Sequence, residues 1–387
     1  MKMYRVAILG CRGRGTAAGR AYHAHPRIEV VGLCDLVPDR LNGLGDELGV
    51  TARFDDYDRM IRDTAPDIVA IPTATELHYE LGMAVLEHGV HIDIEKPICT
   101  TLEEADRLIA QGQEKGVRIA VHHQGRAGAA MHAVSAAFRK GEIGELVYAY
   151  GSGKGYYGGY GLLNIGTHTL NAMMELTGPC RSLAAVGVTG GRTTQPKDVV
   201  PSPSGMGTIA GGNLTAALAF DGNHRATLTQ HRFPVVDATA HSCEFMGTEG
   251  RLFWKNASAA ILRVPHDVPQ SGRDAWEALP LTHPTGYDPD SPAAAEDFGY
   301  VDEYVNALDE DRPHVCSAEV GRHVLEIMMA IFESVATGRR IDLPQPNRAH
   351  PLQSWREEAG HGPLPTMPRP YQEWLAAEDE RLAADSS

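Results

Sequence analysis

The first third of the chain alternates short apolar runs with longer stretches whose apolar residues recur at helical spacing. Runs at 4–9, 28–34, 52–54, 67–72, 91–94 and 117–122 read as strands. Between them, 16–23, 38–48, 57–64, 76–88 and 101–115 read as helices, the last opened by Thr101-Leu102-Glu103-Glu104 at capping-box spacing. Strands and helices in such alternation predict a parallel sheet with helices on both faces.

Beyond residue 122 the pattern changes. A helix is expected at 126–140, a strand at 144–151 and a helix at 164–177. Short extended runs follow at 182–189, 214–220, 225–231, 242–247, 251–254 and 259–264, which fits a predominantly antiparallel sheet. Gly247-Thr248-Glu249-Gly250 reads as a hairpin turn, and 193–212 and 264–292 read as irregular. Helices at 296–309 and 318–336 precede a Pro-rich stretch, 344–370, and a charged helix at 371–384. That tail is either an arm packing on another subunit or a solvated terminus.

A length of 387 residues accommodates two domains, and 43% hydrophobic with 22% charged residues is ordinary for a soluble globular protein. The net charge of -15, without a cluster of Lys and Arg, excludes a nucleic-acid footprint. Cys11, Cys34, Cys99, Cys180, Cys243 and Cys316 lie far apart with no Cys-x-x-Cys pair, so neither a disulfide framework nor a metal site is expected. Met1 runs almost directly into the first strand, and no apolar stretch is long enough to span a bilayer, so a cytoplasmic location without membrane contact is expected.

Candidate chemistry begins after the first strand, at Gly10-Cys11-Arg12-Gly13-Arg14-Gly15. A glycine turn between strand and helix lets the backbone approach a pyrophosphate at the helix start. Gly10 and Gly15 match the outer glycines of G-x-G-x-x-G, but Arg12 holds the middle position and Gly13 is displaced by one, so a plain tight turn remains open. Asp35 ends the second apolar run, where a carboxylate accepts hydrogen bonds from ribose hydroxyls and repels a 2′-phosphate, which selects NAD over NADP. A turn or helix cap ahead of Pro38 is its alternative reading. Pro72 and Thr73 follow the fourth strand at its carboxyl end, and His78 on the next helix is a further cofactor candidate. The fifth strand leads into Glu95-Lys96-Pro97, whose first two residues join the same set.

The glycine turn, Asp35 after the second strand and Glu95-Lys96-Pro97 after the fifth together resemble the Gfo/Idh/MocA family of oxidoreductases. The resemblance extends to about residue 345, and Gly141-Glu142-Ile143-Gly144 fits a turn that the family also carries. It implies an N-terminal Rossmann dinucleotide-binding domain over 1–122 and a C-terminal α+β domain with a large, mostly antiparallel open sheet over 123–345, with 346–387 as an extension. It also implies NAD as cofactor, a sugar or polyol as substrate, and a homo-oligomer, dimer or tetramer, paired through the open sheet.

Asn164-Ile165-Gly166-Thr167-His168 opens a helical pattern that puts Asn164 and His168 on one face. The family usually has Asp at the first of these positions and again three residues after the His, where this chain has Asn164 and Asn171. Oxidising a secondary alcohol needs a hydride acceptor, a base for the hydroxyl proton and positive charge near the oxygen. His168 is assigned as base and Lys96 as the group stabilising the alkoxide; the reverse assignment, with Lys96 as base, stays open. An amide at 164 orients substrate but takes no proton. His123, Arg126, Lys154, Tyr156 and Tyr157 are additional substrate candidates, the tyrosines lying in a glycine-rich segment that reads as a mobile loop suited to a sugar face.

Two enzymatic readings follow. One is an NAD-dependent dehydrogenase of a sugar, glycoside or inositol. The other is a glycoside hydrolase working by transient oxidation, elimination, water addition and re-reduction, with Tyr156, Tyr157 or Tyr160 available as the base for the C–H proton. A nucleotide-binding scaffold without catalysis is a third reading, and retention of both Lys96 and His168 argues against it.

Overall fold

The computed structural model of the protein describes residues 2–266 and 275–385. Residues 267–274, within the stretch read as irregular, and the last two residues of the C-terminal extension lie outside the described residues. The chain forms two compact units. Among the described residues no helix is long and apolar enough to cross a membrane.

Unit 1 runs β1 (Tyr4–Leu9), α1 (Arg14–Ala24), β2 (Ile28–Cys34), α2 (Pro38–Leu48), β3 (Arg53–Phe54) and α3 (Tyr57–Thr64). It continues with β4 (Ile68–Ile71), α4 (His78–Leu86), β5 (His91–Ile94), α5 (Leu102–Lys115), β6 (Ile119–Val121) and α6 (Gln124–Ala127). All strand pairs are parallel, in the order β3-β2-β1-β4-β5-β6. Ile68–Ile71 is buried at every position, as a central parallel strand covered on both faces requires. Local signals set the helix ends: Pro38 opens α2, Gly49 closes it at φ 67°, and the Asp56 carboxylate caps α3 by accepting from the N–H groups of Asp58 and Arg59.

The contacts divide the chain differently from the expected cuts at 122 and 345. Unit 1 takes back residues 281–322, and 346–387 belongs to unit 2. The helix Ala295–Asp309 is held to unit 1 by a buried polar cluster built around Asp93 of β5. Asp93 accepts hydrogen bonds from the Tyr22 and Tyr300 hydroxyls, both at 2.8 Å, and pairs with His122 Nδ1 at 2.9 Å. His122 Nε2 reaches Asp297 at 3.1 Å. Both carboxylates and the imidazole are almost fully buried, so each charge depends on the others for its stability. Burial opposes protonation of His122, but Asp93 and Asp297 outweigh it and raise the pKa to about 10.

Unit 2 is built on a mostly antiparallel ten-stranded sheet. After α7 (Ala129–Arg139) come β7 (Leu146–Ser152), α8 (Gly158–Gly161), a π-helical turn at Leu162–Gly166, α9 (Thr167–Thr177) and β8 (Cys180–Thr189). The expected helix at 126–140 is two helices, α6 and α7, separated at Gly128, so it spans the boundary between the units. The sheet order is 277–278, 258–262, 251–255, 242–247, β7, 225–231, 213–220, β8, 341–342, with Arg192–Thr193 pairing off β8. Among the described residues of this sheet, only the pairing of β7 with Arg225–His231 is parallel. Asn213–Phe220 and Arg225–His231 alternate buried with more exposed positions, the mark of a sheet packed on one face.

Because its pKa is raised on folding, the His122 charge stabilises unit 1 fully below its usual pKa of about 6.5, and that contribution disappears as pH rises through about 10. Urea unfolding at a series of pH values is therefore expected to show stability falling across this window. His122→Gln should be less stable at pH 6 and lose less on going to pH 10. Equal slopes for the two proteins would refute the buried imidazolium.

Candidate active site

The carboxyl ends of β1, β2, β4, β5 and β6 place Gly10, Asp35, Pro72, Lys96 and His122 along one edge of the parallel sheet. Gly10 has φ 113°, and a Cβ on Gly15 would lie 1.9 Å from the Gly10 carbonyl oxygen, so neither position admits a side chain. The turn is fastened to β2: Gly10 N–H donates to the Cys34 carbonyl at 2.8 Å, and Cys11 N–H donates to Asp35 Oδ2 at 2.7 Å. Asp35 Oδ1 accepts from Val37 N–H at 2.8 Å, so the carboxylate is fixed with acceptor capacity left on both oxygens. A Cβ on Gly10 would approach Thr73 Cγ2 to 3.3 Å, which puts the Pro72-Thr73 loop against the turn.

These features fit a nicotinamide dinucleotide. The start of α1 has no side-chain cap, leaving N–H groups for a pyrophosphate. Asp35 suits a ribose, and Thr73 Oγ1 is buried with no hydrogen-bond partner among the described residues, so a ligand hydroxyl or amide would satisfy it.

Three of the expected cofactor residues turn out to be engaged elsewhere. The Arg14 guanidinium pairs with Glu95 at 2.6 Å and Asp297 at 2.7 Å, instead of standing free for phosphate. Burial opposes its charge, but Glu95 and Asp297 outweigh it and raise the Arg14 pKa. Glu95 is spent on the same pair: burial favours its protonated form, yet Arg14, His122 and Lys96 outweigh burial and lower its pKa. His78 is fully buried, with Nδ1 2.8 Å from the Pro97 carbonyl and Nε2 3.2 Å from the Thr73 carbonyl, so it braces the Lys96 loop against the Pro72-Thr73 loop from beneath. At the turn itself, Arg12 and Gly13 are exposed.

Lys96 is half-buried, and its backbone N–H donates to Glu95 Oε2 at 3.2 Å. In the same unit, burial first and the Lys96 charge second push His123 down to about 3, so this imidazole is neutral beside the lysine. Arg126 lies half-buried in the last turn of α6.

In unit 2, Asn164 and His168 are the two side chains not fully buried between Tyr157 and Met174. Asn164 lies on the π turn and His168 in the first turn of α9, a helix irregularity of the kind found at functional sites. Asn171 is buried. Lys154, after β7, is half-buried, and burial, partly opposed by Asp237, lowers its pKa.

The tyrosine segment is not the mobile sugar-facing loop that its glycines suggest. Tyr157 is 1% and Tyr160 7% exposed, and both pack on the C-terminal helix Tyr371–Ala384 of the same unit. The C-terminal helix is therefore not a solvated terminus but packs on its own unit. The glycines serve close packing: a Cβ on Gly158 would come within 2.7 Å of the Gln230 carbonyl oxygen and one on Gly159 within 2.7 Å of the Ala210 carbonyl oxygen. Tyr156 is half-buried, edge-on to Tyr160 and Tyr371.

Sequence reasoning missed Asp93, His122 and Asp297. An acid inside the apolar run His91-Ile92-Asp93-Ile94 was the available signal, since a charge there needs a buried partner.

Comparison with known proteins agrees with the class defined by the two units, an NAD-binding Rossmann domain joined to an α/β domain. The Gfo/Idh/MocA oxidoreductase family's NAD-binding Rossmann fold matches residues 4–123 and its C-terminal α/β domain residues 140–343. The chain belongs to this family. It is 27% identical over 194 residues to a D-apiose dehydrogenase of Rhizobium rhizogenes, an alignment covering 46% of this chain and 55% of that protein. A glycosyl hydrolase family 109 protein of Porphyromonas gingivalis is 30% identical over 118 residues, 28% of this chain and 25% of that one. The chain thus spans about half, or less, of the length of these relatives. A levoglucosan dehydrogenase, solved with NADH and levoglucosan, shares the fold with a TM-score of 0.73 at 20% identity, covering 89% of this chain and all of that one (100%).

Asp35→Ala is expected to weaken NAD binding by roughly 10- to 100-fold, the loss of about 1.5–3 kcal/mol for hydrogen bonds to a charged group. Calorimetric titration of NAD checks this, and an unchanged Kd would refute the ribose contact.

Proposed function

We propose that the protein is an NAD-dependent oxidoreductase that oxidises a secondary hydroxyl of a sugar, glycoside or inositol. The observation that carries this reading is the position of Lys96 at the carboxyl end of β5, on the same sheet edge as the Gly10 turn, Asp35 and Thr73. NAD, when bound, supplies the hydride acceptor. Gly10, Gly13 and Gly15 shape the turn that would hold its pyrophosphate, and Asp35 would hold a ribose. His168 takes the hydroxyl proton, Lys96 stabilises the negative charge developing on the oxygen, and Asn164 orients the substrate through its amide. His123, neutral and next to the lysine charge, supports this assignment because it adds no second positive charge at Lys96. Arg126 and Lys154 are proposed substrate contacts.

The likeness to a glycosyl hydrolase family 109 protein favours one further reading, a glycosidase cycling through an oxidised sugar. That route needs a base for a C–H proton. Two of the three tyrosines considered for it fit poorly, since burial first and Glu378 second raise the Tyr157 pKa well above its usual value, and burial raises that of Tyr160. A homo-oligomer paired through the open sheet face, on which Val186 is 64% exposed, and a cytoplasmic location, which the buried free cysteines suit, are part of the proposal.

Incubation with NAD and a panel of sugars, inositols and aryl glycosides, following NADH absorbance and aglycone release together, tests the reading. Stoichiometric NADH is expected; aglycone release without net NADH would establish the glycosidase, and neither signal would overturn both. On the substrate found, Lys96→Ala and His168→Ala should each lower kcat at least 10²-fold while NAD still binds. Full activity in either variant removes that residue from the chemistry.

A further inference from the structure

The C-terminal helix Tyr371–Ala384 lies beyond residue 343, where the family match ends, yet several of its side chains are buried in unit 2. Trp374 is fully buried and donates its indole N–H to the Pro201 carbonyl at 2.8 Å. Glu378, also fully buried, is held by Arg381 through two bonds of 2.8 Å. Arg232 and Asp379 form a bidentate pair at 2.6 and 2.8 Å across the helix edge. A surface arm has no need of a buried carboxylate, which is costly unless its partners are fixed.

Those partners converge on Tyr157, the residue at which the helical run carrying Asn164 and His168 begins. Its hydroxyl donates to Glu378 at 3.2 Å, its ring meets Trp374 edge-on at 5.0 Å, and its backbone N–H donates to the Tyr371 hydroxyl at 2.9 Å. Tyr160, one turn further on, stacks on Tyr371 at 5.1 Å. From Gly158 the run is helical without interruption to Thr177, passing through the π turn, so the attitude of its first residues is transmitted to Asn164 and His168. The glycines of its start are embedded in backbone: Gly158 N–H donates to the Gly212 carbonyl at 2.7 Å and Gly159 N–H to the Gly211 carbonyl at 2.8 Å. Gln230 fills the space beside Gly161 and Gly166, where Cβ atoms would come within 2.9 Å of its Oε1 and 3.4 Å of its Nε2.

We propose that the C-terminal helix is a positioning element for turnover, acting through Tyr157 to set the helical run that carries Asn164 and His168. This rests on the reading of those two residues as substrate contacts. Tyr157 is a positioning residue: it is buried, and it reaches the reacting groups through the helix it begins. Displacing a catalytic group by about 1 Å costs on the order of 10²-fold in rate, so a docked helix and a released one differ in kcat rather than in cofactor binding.

The test compares the full chain with Glu378→Ala, Tyr157→Ala, Tyr157→Phe and a chain ending at Pro370. It measures hydrogen exchange at residues 158–170, NAD affinity, kcat and KM. The shortened chain, Glu378→Ala and Tyr157→Ala should exchange faster at 158–170 and lose roughly 10- to 100-fold in kcat, with NAD affinity unchanged. Tyr157→Phe, which keeps the ring on Trp374, should retain most of the activity. A synthetic peptide of residues 368–385 should restore kcat and protection to the shortened chain. Exchange at 158–170 unaltered in Glu378→Ala and Tyr157→Ala overturns the proposal, and so does faster exchange with unchanged kcat. Failure of the functional reading is distinguishable, because it shows as absence of turnover in the full chain before any variant is compared.

Discussion

The Arg14 guanidinium, shared between Glu95 and Asp297, is the interaction on which the arrangement of unit 1 depends. It joins the start of α1, the loop after β5 and the helix Ala295–Asp309, segments up to 283 positions apart in sequence. The side chains of Glu95 and Asp297 are 7% and 5% exposed, so neither carboxylate has water to replace the arginine. Asp297 carries the constraint on to His122, and His122 to Asp93, which makes the charges alternate in sign through the interior of the unit. Such a chain is stable only when complete, since each ion is solvated by its neighbours.

Lys96 follows directly on a buried residue held by an ion pair. Glu95 is clamped by Arg14 and receives the Lys96 backbone N–H, while His78 holds the Pro97 carbonyl from below. On the proposed reading, this bracing would hold the lysine at the edge where the glycine turn would place a cofactor, as preorganised chemistry requires. Unit 2 solves its own problem in a similar way: a buried acid, Glu378, fixed by an arginine and a tyrosine hydroxyl, anchors the start of the run that bears Asn164 and His168.

Much of this was legible in the sequence, for definite reasons. Strand and helix periods located β1 to β6, and the strands of unit 2 at 225–231 and 242–247, because burial on one or both faces imposes a pattern on the residues themselves. The placement of Gly10, Gly15, Asp35 and Lys96 just beyond strand ends was readable because it follows from the strand pattern. The ion pairs of Arg14 were not readable because its partners lie 81 and 283 residues away, and no local rule carries that information. The packing of residues 281–322 with unit 1, although the family's C-terminal domain match runs through them to 343, was unreadable for the same reason. The glycine-rich tyrosine segment looked mobile because glycine permits both flexibility and close approach, and only the three-dimensional neighbours Gln230, Ala210 and Trp374 decide between them. The C-terminal helix itself was readable, whereas the helix Pro351–Glu358 was hidden in a proline-rich stretch.

The most direct measurement is the unfolding free energy of the NAD-free Arg14→Met protein. If Arg14 is the internal counter-charge of Glu95 and Asp297, the variant loses about 3 kcal/mol without any ligand present. That is the low end for stripping one partner from a buried pair, because Arg14 itself is about a third open to solvent. NAD-free stability equal to wild type, with only NAD affinity reduced, would contradict the account and return Arg14 to the role of a phosphate ligand.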